Sequence, residues 1–382
     1  MADAKETTSN ILDFLMLVGR LKHLRRTGWV LRKVKNCESI AGHMYRMSIM
    51  AFLLEDGACG LIRDRCIKMA LIHDISECIV GDLTPFCGVS KEEKHKREME
   101  AMNKLCSLIP KNISEEIFNL YKEYTEQVTV DAKAVKDLDK LDMLMQAYEY
   151  ELEAESPLFL QDFFDNTKGI QNSTVLNWFQ ELLLYRDRNC EHSSTTDLTR
   201  SNTFEFFLLL GKLKHLKRTF WGSQNIPECE TVADHMYRTS IMAFILDDGT
   251  SIGLNKDKCI KLALIKNIAD SIKVNITECE KDPTYMEVME RVCKLAGEKF
   301  NKEIFDLYKE YQTQQSPEAK TVKDLEEFEY LLQAYEYEKG SGSTLATSLA
   351  DIEHFDFENS EVSKWHKELL ALQNRKLQLN SK

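Results

Sequence analysis

The sequence predicts an all-α protein, and three observations support that fold class. Leu, Lys, Glu, Met and Ala dominate the 382 residues. Only six prolines and fifteen glycines interrupt them. In addition, no stretch alternates Val, Ile or Thr with polar residues in the two-residue period of a half-buried strand.

The chain contains one domain-sized unit twice. LKHLRRTGW (21–29) recurs as LKHLKRTFW (213–221), and HMYRMSIMAFLLEDG (43–57) recurs as HMYRTSIMAFILDDG (235–249). We therefore predict two domains, residues 9–188 and 203–376, which we call the first and second repeats. Each has roughly 180 residues, enough for a core of its own. The polar segment 189–202 lacks an apolar period and is predicted to be a linker.

The helices of the first repeat follow from helical spacing of apolar residues. The first is predicted over Ile11–Leu24, and an irregular basic segment comes next. A helix cap is expected near Ser39, before a helix that begins at Ile40 and ends at the Asp-Gly pair 56–57. Further helices are predicted over 63–78, 91–108 and 133–153.

Charge and cysteine content exclude several classes of protein. The net charge of −12 comes from dispersed acidic residues, which argues against a nucleic-acid-binding surface. Eleven cysteines without a C-x-x-C spacing, together with a polar N-terminus, predict free thiols in the cytoplasm. No apolar run approaches the roughly 18 residues that would span a bilayer, so no membrane partner is expected.

The two repeats differ in chemistry at one point, where ALIHD (70–74) is replaced by ALIKN (263–267). His73, Asp74 and Glu77 are predicted on one helix, where His73 and Glu77 lie one turn apart. They follow a largely apolar segment. Because burying unpaired charge is costly, this cluster requires a cation or a tight hydrogen-bond network.

Two other segments carry candidate metal ligands. His43 borders the apolar face of its helix, where a lone histidine is more often a core residue. It is therefore a metal-ligand candidate only in combination with the other candidate ligands. Asp139 and Asp142 both lie on or beside an apolar stripe of the helix 133–153. Asp139 becomes Glu326 in the second repeat, whereas Asp137 is retained as Asp324, which favours Asp139 as a ligand. The alternative is a surface pair of carboxylates.

This pattern resembles a known family. His43, the pair His73-Asp74, and Asp139 resemble the H…HD…D signature of HD-domain phosphohydrolases. RTGW (26–29), ESIAGHMYRM (38–47) and HDISECIVGDLTP (73–85) are similar to the YfbR-like 5'-deoxynucleotidases. The resemblance implies two tandem HD-domain helical bundles and a 5'-nucleotidase that hydrolyses deoxyribonucleoside 5'-monophosphates.

The resemblance also implies roles for residues of the first repeat. A divalent metal would be held by His43, His73, Asp74 and Asp139. These nitrogen and oxygen donors suit Mn, Co, Fe, Ni or Zn better than Mg alone, without selecting one. Additional residues are implied near the metal (Glu77, Asp82 and Leu83), in catalysis (Asp74, and Glu77 as general acid or base) and at the substrate (Arg26, Trp29, Asp82 and Thr84).

The second repeat has lost the candidate ligands. Lys266, Asn267 and Glu326 replace the His-Asp pair and Asp139, so we predict no metal and no phosphatase activity there. Members of the family commonly form homodimers. We therefore predict that the second repeat pairs with the first as a tethered substitute for a dimer partner, and a homodimer of whole chains is possible.

One position departs from the family pattern. An acidic residue usually precedes the first metal histidine, whereas this chain has Gly42 there and Asp234 in the second repeat. If that carboxylate orients the histidine, Gly42 would weaken metal binding.

Two alternatives remain at this point. One is a phosphodiesterase or triphosphate hydrolase with the same metal chemistry. The other is a catalytically silent binding or scaffold protein. Gly42 and the degenerate second repeat favour the scaffold. Against it stands the retention of all six candidate residues in the first repeat, namely His43, His73, Asp74, Glu77, Asp82 and Asp139.

Overall fold

A computed structural model describes residues 2–154, 158, 160–190, 201–224, 226, 228–247, 253–270, 284–341 and 355–380. Throughout these residues the regular secondary structure is helical, which confirms the predicted all-α class. Extended pairing within them is limited to two isolated bridges, Arg25 with Ser39 and Lys217 with Thr231. Residues 191–200 of the predicted linker lie outside the described residues.

The described part of the first repeat contains ten α-helices. They are α1 (Ala2–Gly19), α2 (Thr27–Leu31), α3 (Ile40–Phe52), α4 (Arg63–Ile72), α5 (Glu77–Val80), α6 (Lys91–Cys106), α7 (Lys111–Glu126), α8 (Val130–Glu153), α9 (Gln161–Asn166) and α10 (Ser173–Cys190). Short 3₁₀ helices occur at Arg20–Lys22, Ala58–Gly60 and Pro85–Cys87.

The described part of the second repeat contains eight α-helices. They are α11 (Asn202–Leu213), α12 (Thr219–Ser223), α13 (Val232–Phe244), α14 (Lys256–Ile265), α15 (Tyr285–Leu295), α16 (Glu298–Thr313), α17 (Pro317–Ser341) and α18 (Ser360–Asn380). Helices α11 to α14 correspond in sequence to α1 to α4, and α17 corresponds to α8.

The helix cap predicted near Ser39 is present. The Ser39 hydroxyl accepts a hydrogen bond from the Gly42 amide at 2.9 Å, and Thr231 caps α13 in the same way. The prediction of one continuous helix over 63–78 is wrong, because α4 ends at Ile72 and residues 73–76 form a turn. There the amides of Ile75 and Glu77 bond carbonyls only three residues back, which tightens the chain.

The first helix of each repeat packs against the other repeat. Helix α1 contacts α13 and α18, and α11 contacts α3, α8 and α10. The central helices α3 and α13 also pack on each other. Thus the contact between repeats includes both an exchange of N-terminal helices and the pair of helices that carries His43 and His235.

Two glycines allow this exchange. A Cβ atom at Gly211 would lie 2.3 Å from Oε1 of Glu149 and 2.7 Å from Nη1 of Arg46. At the equivalent Gly19, it would lie 2.3 Å from Nη1 of Arg238. All three distances are below van der Waals contact, so a side chain at either glycine would have to displace the buried ion pair that it faces in the other repeat.

Two sequence expectations concern cysteines and membranes. The nine cysteines whose side chains are described form no disulfide. Among the described residues, no helix has an apolar stretch of the length needed to cross a bilayer.

Candidate metal centre

Three side chains from three helical segments converge at the centre of the first repeat. His43 comes from α3, His73 follows the end of α4, and Asp139 lies on α8. Nε2 of His43 is 3.2 Å from Oδ1 of Asp139, and one donor atom of each of the three residues lies within 4.8 Å of the others. Asp74 joins them, with Oδ2 at 3.2 Å from Nε2 of His73.

The hydrogen bonds of the two histidines fix which nitrogen faces the centre. Nδ1 of His43 lies 2.7 Å from Oδ2 of Asp142, and Nδ1 of His73 lies 3.0 Å from the carbonyl oxygen of Ala70. Both partners are acceptors, so Nδ1 carries the proton in each ring. The lone pairs are therefore on the two Nε2 atoms, which is the tautomer that a metal-binding histidine requires.

These two Nε2 atoms are buried and have no hydrogen-bond partner. The histidine side chains are themselves fully buried. Leaving a buried polar atom unsatisfied costs about 1–3 kcal/mol, so two such atoms beside the same carboxylate need a ligand. The pair of nitrogens and the Asp139 and Asp74 oxygens fit a divalent cation, since they supply borderline donors of the kind that such ions prefer.

The Asp139 carboxylate remains ionised at this centre. Burial opposes its ionisation, but the Lys136 ammonium keeps its pKa well below the usual range. Lys136 Nζ donates to Oδ2 of Asp139 at 2.8 Å, which leaves Oδ1 directed at His43.

Asp142 is a supporting residue that sequence reasoning placed beside the apolar stripe but did not assign a role. Its carboxylate accepts from His43 and from Nε of Arg46, and all three side chains are fully buried. The second repeat has Glu329 at this position, and that carboxylate likewise contacts His235 and Arg238. The sequence signal that could have identified Asp142 is that the second repeat keeps an acidic residue at the same position. By contrast, Asp137 accepts from the amides of residues 171 and 172 and lies away from the centre.

Glu77, at the start of α5, is only 5% exposed. Burial, reinforced by the charges of Asp74 and Asp82, raises its pKa well above the ordinary value, which favours the protonated form of this carboxyl.

The loop after α5 connects to the RTGW segment. Oδ2 of Asp82 accepts from the Thr27 amide at 2.7 Å. The carbonyl oxygen of Leu83 accepts from Lys94 Nζ at 2.6 Å, and Thr84 lies 3.4 Å from the sulfur of Cys87. Thus Asp82 ties this loop to α2, and the Leu83 carbonyl already has a cationic partner.

Arg26 and Trp29 occupy different environments although they are close in sequence. Nη1 of Arg26 is buried without a hydrogen-bond partner, and its Nε lies 3.8 Å from Glu38. Trp29 is 1% exposed and donates its indole N–H to Glu38 at 2.9 Å. Arg26 therefore has a free donor for an anion, whereas Trp29 is held in the core.

In the second repeat, a lysine ammonium lies where the first repeat has open donor atoms. Nζ of Lys266 is 2.7 Å from Nε2 of His235, 2.8 Å from Glu326 and 2.9 Å from the Asn267 side-chain oxygen. Arg218, the counterpart of Arg26, contacts Nδ1 of His235 at 2.7 Å. Nε2 of His43 and Nη1 of Arg26 have no hydrogen-bond partner in the first repeat, whereas their counterparts in His235 and Arg218 both have one.

The expected role of an acidic residue before the metal histidine does not agree with the geometry. Asp234, which replaces Gly42 in the second repeat, accepts from the Thr231 amide at 2.9 Å and from the Ser39 hydroxyl across the interface. It thus completes a capping box and bonds the other repeat. His235, which follows Asp234, is oriented by Glu329 instead. Asp142 orients His43 in the same way, so the glycine at position 42 does not remove a hydrogen-bond partner of His43.

Comparison with known proteins agrees with this centre. Residues 18–178 and 210–366 each match the HD domain family, and the chain belongs to that family. One relative is 5'-deoxynucleotidase HDDC2 of Xenopus laevis, 49% identical over 42% of this chain and 79% of that protein. The human protein of that name is 45% identical over 47% and 88%. The Saccharomyces cerevisiae 5'-deoxynucleotidase YBR242W is 39% identical over 52% and 83%. The predicted resemblance and tandem duplication are confirmed.

Proposed function

We propose that this chain is a metal-dependent 5'-deoxynucleotidase, a phosphoric monoester hydrolase whose active site is in the first repeat. It hydrolyses deoxyribonucleoside 5'-monophosphates to a deoxynucleoside and phosphate. The main support is the pair of buried Nε2 atoms of His43 and His73, which have no partner and face Asp139. The names of the relatives support the choice of substrate.

The proposed ligands of the divalent metal are His43, His73, Asp74 and Asp139. When bound, such an ion orients a phosphate and lowers the pKa of a coordinated water. Mn, Co, Fe, Ni and Zn match these donors better than Mg. Asp142 and the Ala70 carbonyl keep both histidines in the tautomer that presents Nε2.

Arg26 and Glu77 have complementary tasks in this proposal. The free guanidinium nitrogen of Arg26 donates to a phosphate oxygen, a charge-assisted bond that Arg218 cannot make from its engaged position. Glu77, whose pKa is raised by burial, would act as a general acid and give its proton to the departing 5'-oxygen of the nucleoside. Asp82 and Thr84 are proposed to contact the sugar from the adjoining loop. Trp29 acts indirectly, through Glu38.

The second repeat is proposed to carry no metal and no phosphatase activity. Its role is to pair with the first repeat in place of a separate subunit, an arrangement favoured by the high local concentration that a linker provides. We place the chain in the cytoplasm, in agreement with the free thiols of its nine described cysteines.

The test measures phosphate release from a panel of deoxyribonucleoside and ribonucleoside 5'-monophosphates with Mn²⁺ or Co²⁺. The chain is assayed beside Asp74→Asn, and bis(p-nitrophenyl) phosphate and nucleoside triphosphates are included. Release from deoxynucleoside monophosphates that the substitution abolishes supports the proposal. Preferential cleavage of the diester or triphosphates would favour the other hydrolase classes. No release with any metal would favour a scaffold.

A further inference from the structure

Lys214 reaches from the second repeat into the first. It follows α11, is fully buried, and its Nζ lies 2.6 Å from Glu38, 3.1 Å from Oδ2 of Asp142 and 3.1 Å from Gln146. One ammonium from the degenerate repeat therefore contacts the carboxylate that holds His43. It also contacts the carboxylate that holds Trp29 and lies beside Arg26.

These contacts determine how the Asp142 carboxylate is held. Oδ1 accepts from Arg46 and Lys214, and Oδ2 accepts from His43 and Lys214. Each oxygen thus accepts one hydrogen bond from the first repeat and one from Lys214 of the second, which prevents rotation of the carboxylate plane. Because Nδ1 of His43 bonds Oδ2, the direction of the His43 ring depends on this arrangement. Outer partners of this kind commonly affect metal affinity by 10- to 100-fold.

We propose that Lys214 is a positioning residue of the metal centre, so the repeat without a metal site completes the site of the other repeat. The inference rests on the proposed metal-dependent function. It extends that proposal, because it assigns to the second repeat a specific side chain that acts through Asp142 on His43.

The pseudo-symmetry of the chain supplies a matched control. Lys22 is the counterpart of Lys214 and is equally buried, at 1% exposure. It reaches from the first repeat to Glu230, at 2.5 Å, and to Glu329 and Gln333 of the second. Both lysines join the repeats, but Lys22 supports a histidine whose Nε2 already contacts Lys266. A purely structural role predicts equal effects for the two lysines, whereas a positioning role predicts an effect on metal binding at Lys214 alone.

The experiment uses the full chain, stripped of metal, with the variants Lys214→Met and Lys22→Met. Mn²⁺ affinity is measured by titration calorimetry, and stability by thermal unfolding. We expect Lys214→Met to weaken Mn²⁺ binding by roughly 10- to 100-fold and Lys22→Met to change it less than about twofold, although both reduce stability. Lys214→Gln and Lys22→Gln, which keep a polar group, replace the methionine pair if either does not fold.

The outcomes separate this inference from the proposed function. If the unmodified chain binds Mn²⁺ and hydrolyses deoxynucleotides while the two lysine variants bind the metal equally, only the role of Lys214 is overturned. If the unmodified chain neither binds a divalent metal nor releases phosphate, the proposed function fails and this inference fails with it.

Discussion

Nζ of Lys266 lies 2.7 Å from Nε2 of His235, the nitrogen whose counterpart in His43 is buried without a hydrogen-bond partner. Glu326, the counterpart of Asp139, accepts from the same ammonium at 2.8 Å. In the second repeat, Lys266 therefore contacts the two groups whose counterparts in the first repeat, His43 and Asp139, are suited to bind a metal ion.

The first prediction restores the missing pair. Lys266→His with Asn267→Asp removes the ammonium and returns two donors beside His235 and Glu326. We expect the metal content, measured by plasma mass spectrometry, to rise from one to two ions per chain. Lys266→Met, which removes the ammonium without adding donors, should remain at one. If the double variant also holds only one metal ion per chain, ligands beyond the side chains at positions 235, 266, 267 and 326 are needed.

The second prediction concerns Asp142. Asp142→Asn exchanges the acceptor at Nδ1 of His43 for an amide, which weakens control of the tautomer. We expect Mn²⁺ affinity to fall by roughly 10- to 100-fold in calorimetric titration. Glu329→Gln makes the same change in the second repeat and should leave the affinity unaltered. Equal losses in the two variants would mean that general stability, and not the orientation of His43, governs binding.

The third prediction concerns Gly42. In the second repeat, the equivalent Asp234 bonds the Thr231 amide and Ser39 and leaves His235 to Glu329. Gly42→Asp should therefore change Mn²⁺ affinity by less than about twofold, well below the effect typical of an orienting partner. A tenfold gain in affinity would show that a carboxylate at this position does orient His43.

The fourth prediction concerns the glycine at the close approach of the two repeats. Gly211→Val places side-chain atoms against the buried pair of Arg46 and Glu149. We expect the free energy of unfolding to fall by about 1–3 kcal/mol, the usual cost of overpacking, in urea denaturation. Gly222→Val is the control, since a Cβ there has no neighbour within 4 Å. A similar loss at both positions would contradict a specific role for the close approach.

The fifth prediction concerns pH. Burial raises the pKa of Asp234 from its ordinary value of 3.8 to about 6, so the folded state holds this proton more tightly than the unfolded state. The stabilisation from this group is complete below pH 4 and is lost as the pH rises through about 6. Asp234→Asn should flatten that part of the profile of unfolding free energy against pH. The difference between parent and variant is the observable, and a difference that is constant from pH 4 to 7 would refute the assignment.

Much of this architecture could be predicted from sequence because repetition and periodicity are local signals. Comparison of the repeats identified His73 and Asp74, and helical spacing located α3 and α8. The turn at 73–76 was missed because apolar spacing does not distinguish α-helical from tighter 3₁₀ bonding over one turn. Lys214 was missed for a different reason: a lysine retained in both repeats looks like a surface residue, and only tertiary structure reveals that it is buried in the other repeat.

The exchange of first helices has a consequence for biosynthesis. Helix α1 buries Ile11, Leu12, Phe14, Leu15 and Val18, yet one of its partners, α18, begins at Ser360. A ribosome adds roughly 5–20 residues per second, so about 20 to 70 seconds separate the synthesis of the two helices. The N-terminal half therefore emerges with an apolar helix awaiting its partner. This packing is complete only after α18 has been synthesised, so a product truncated before Ser360 leaves part of the apolar face of α1 without its partner.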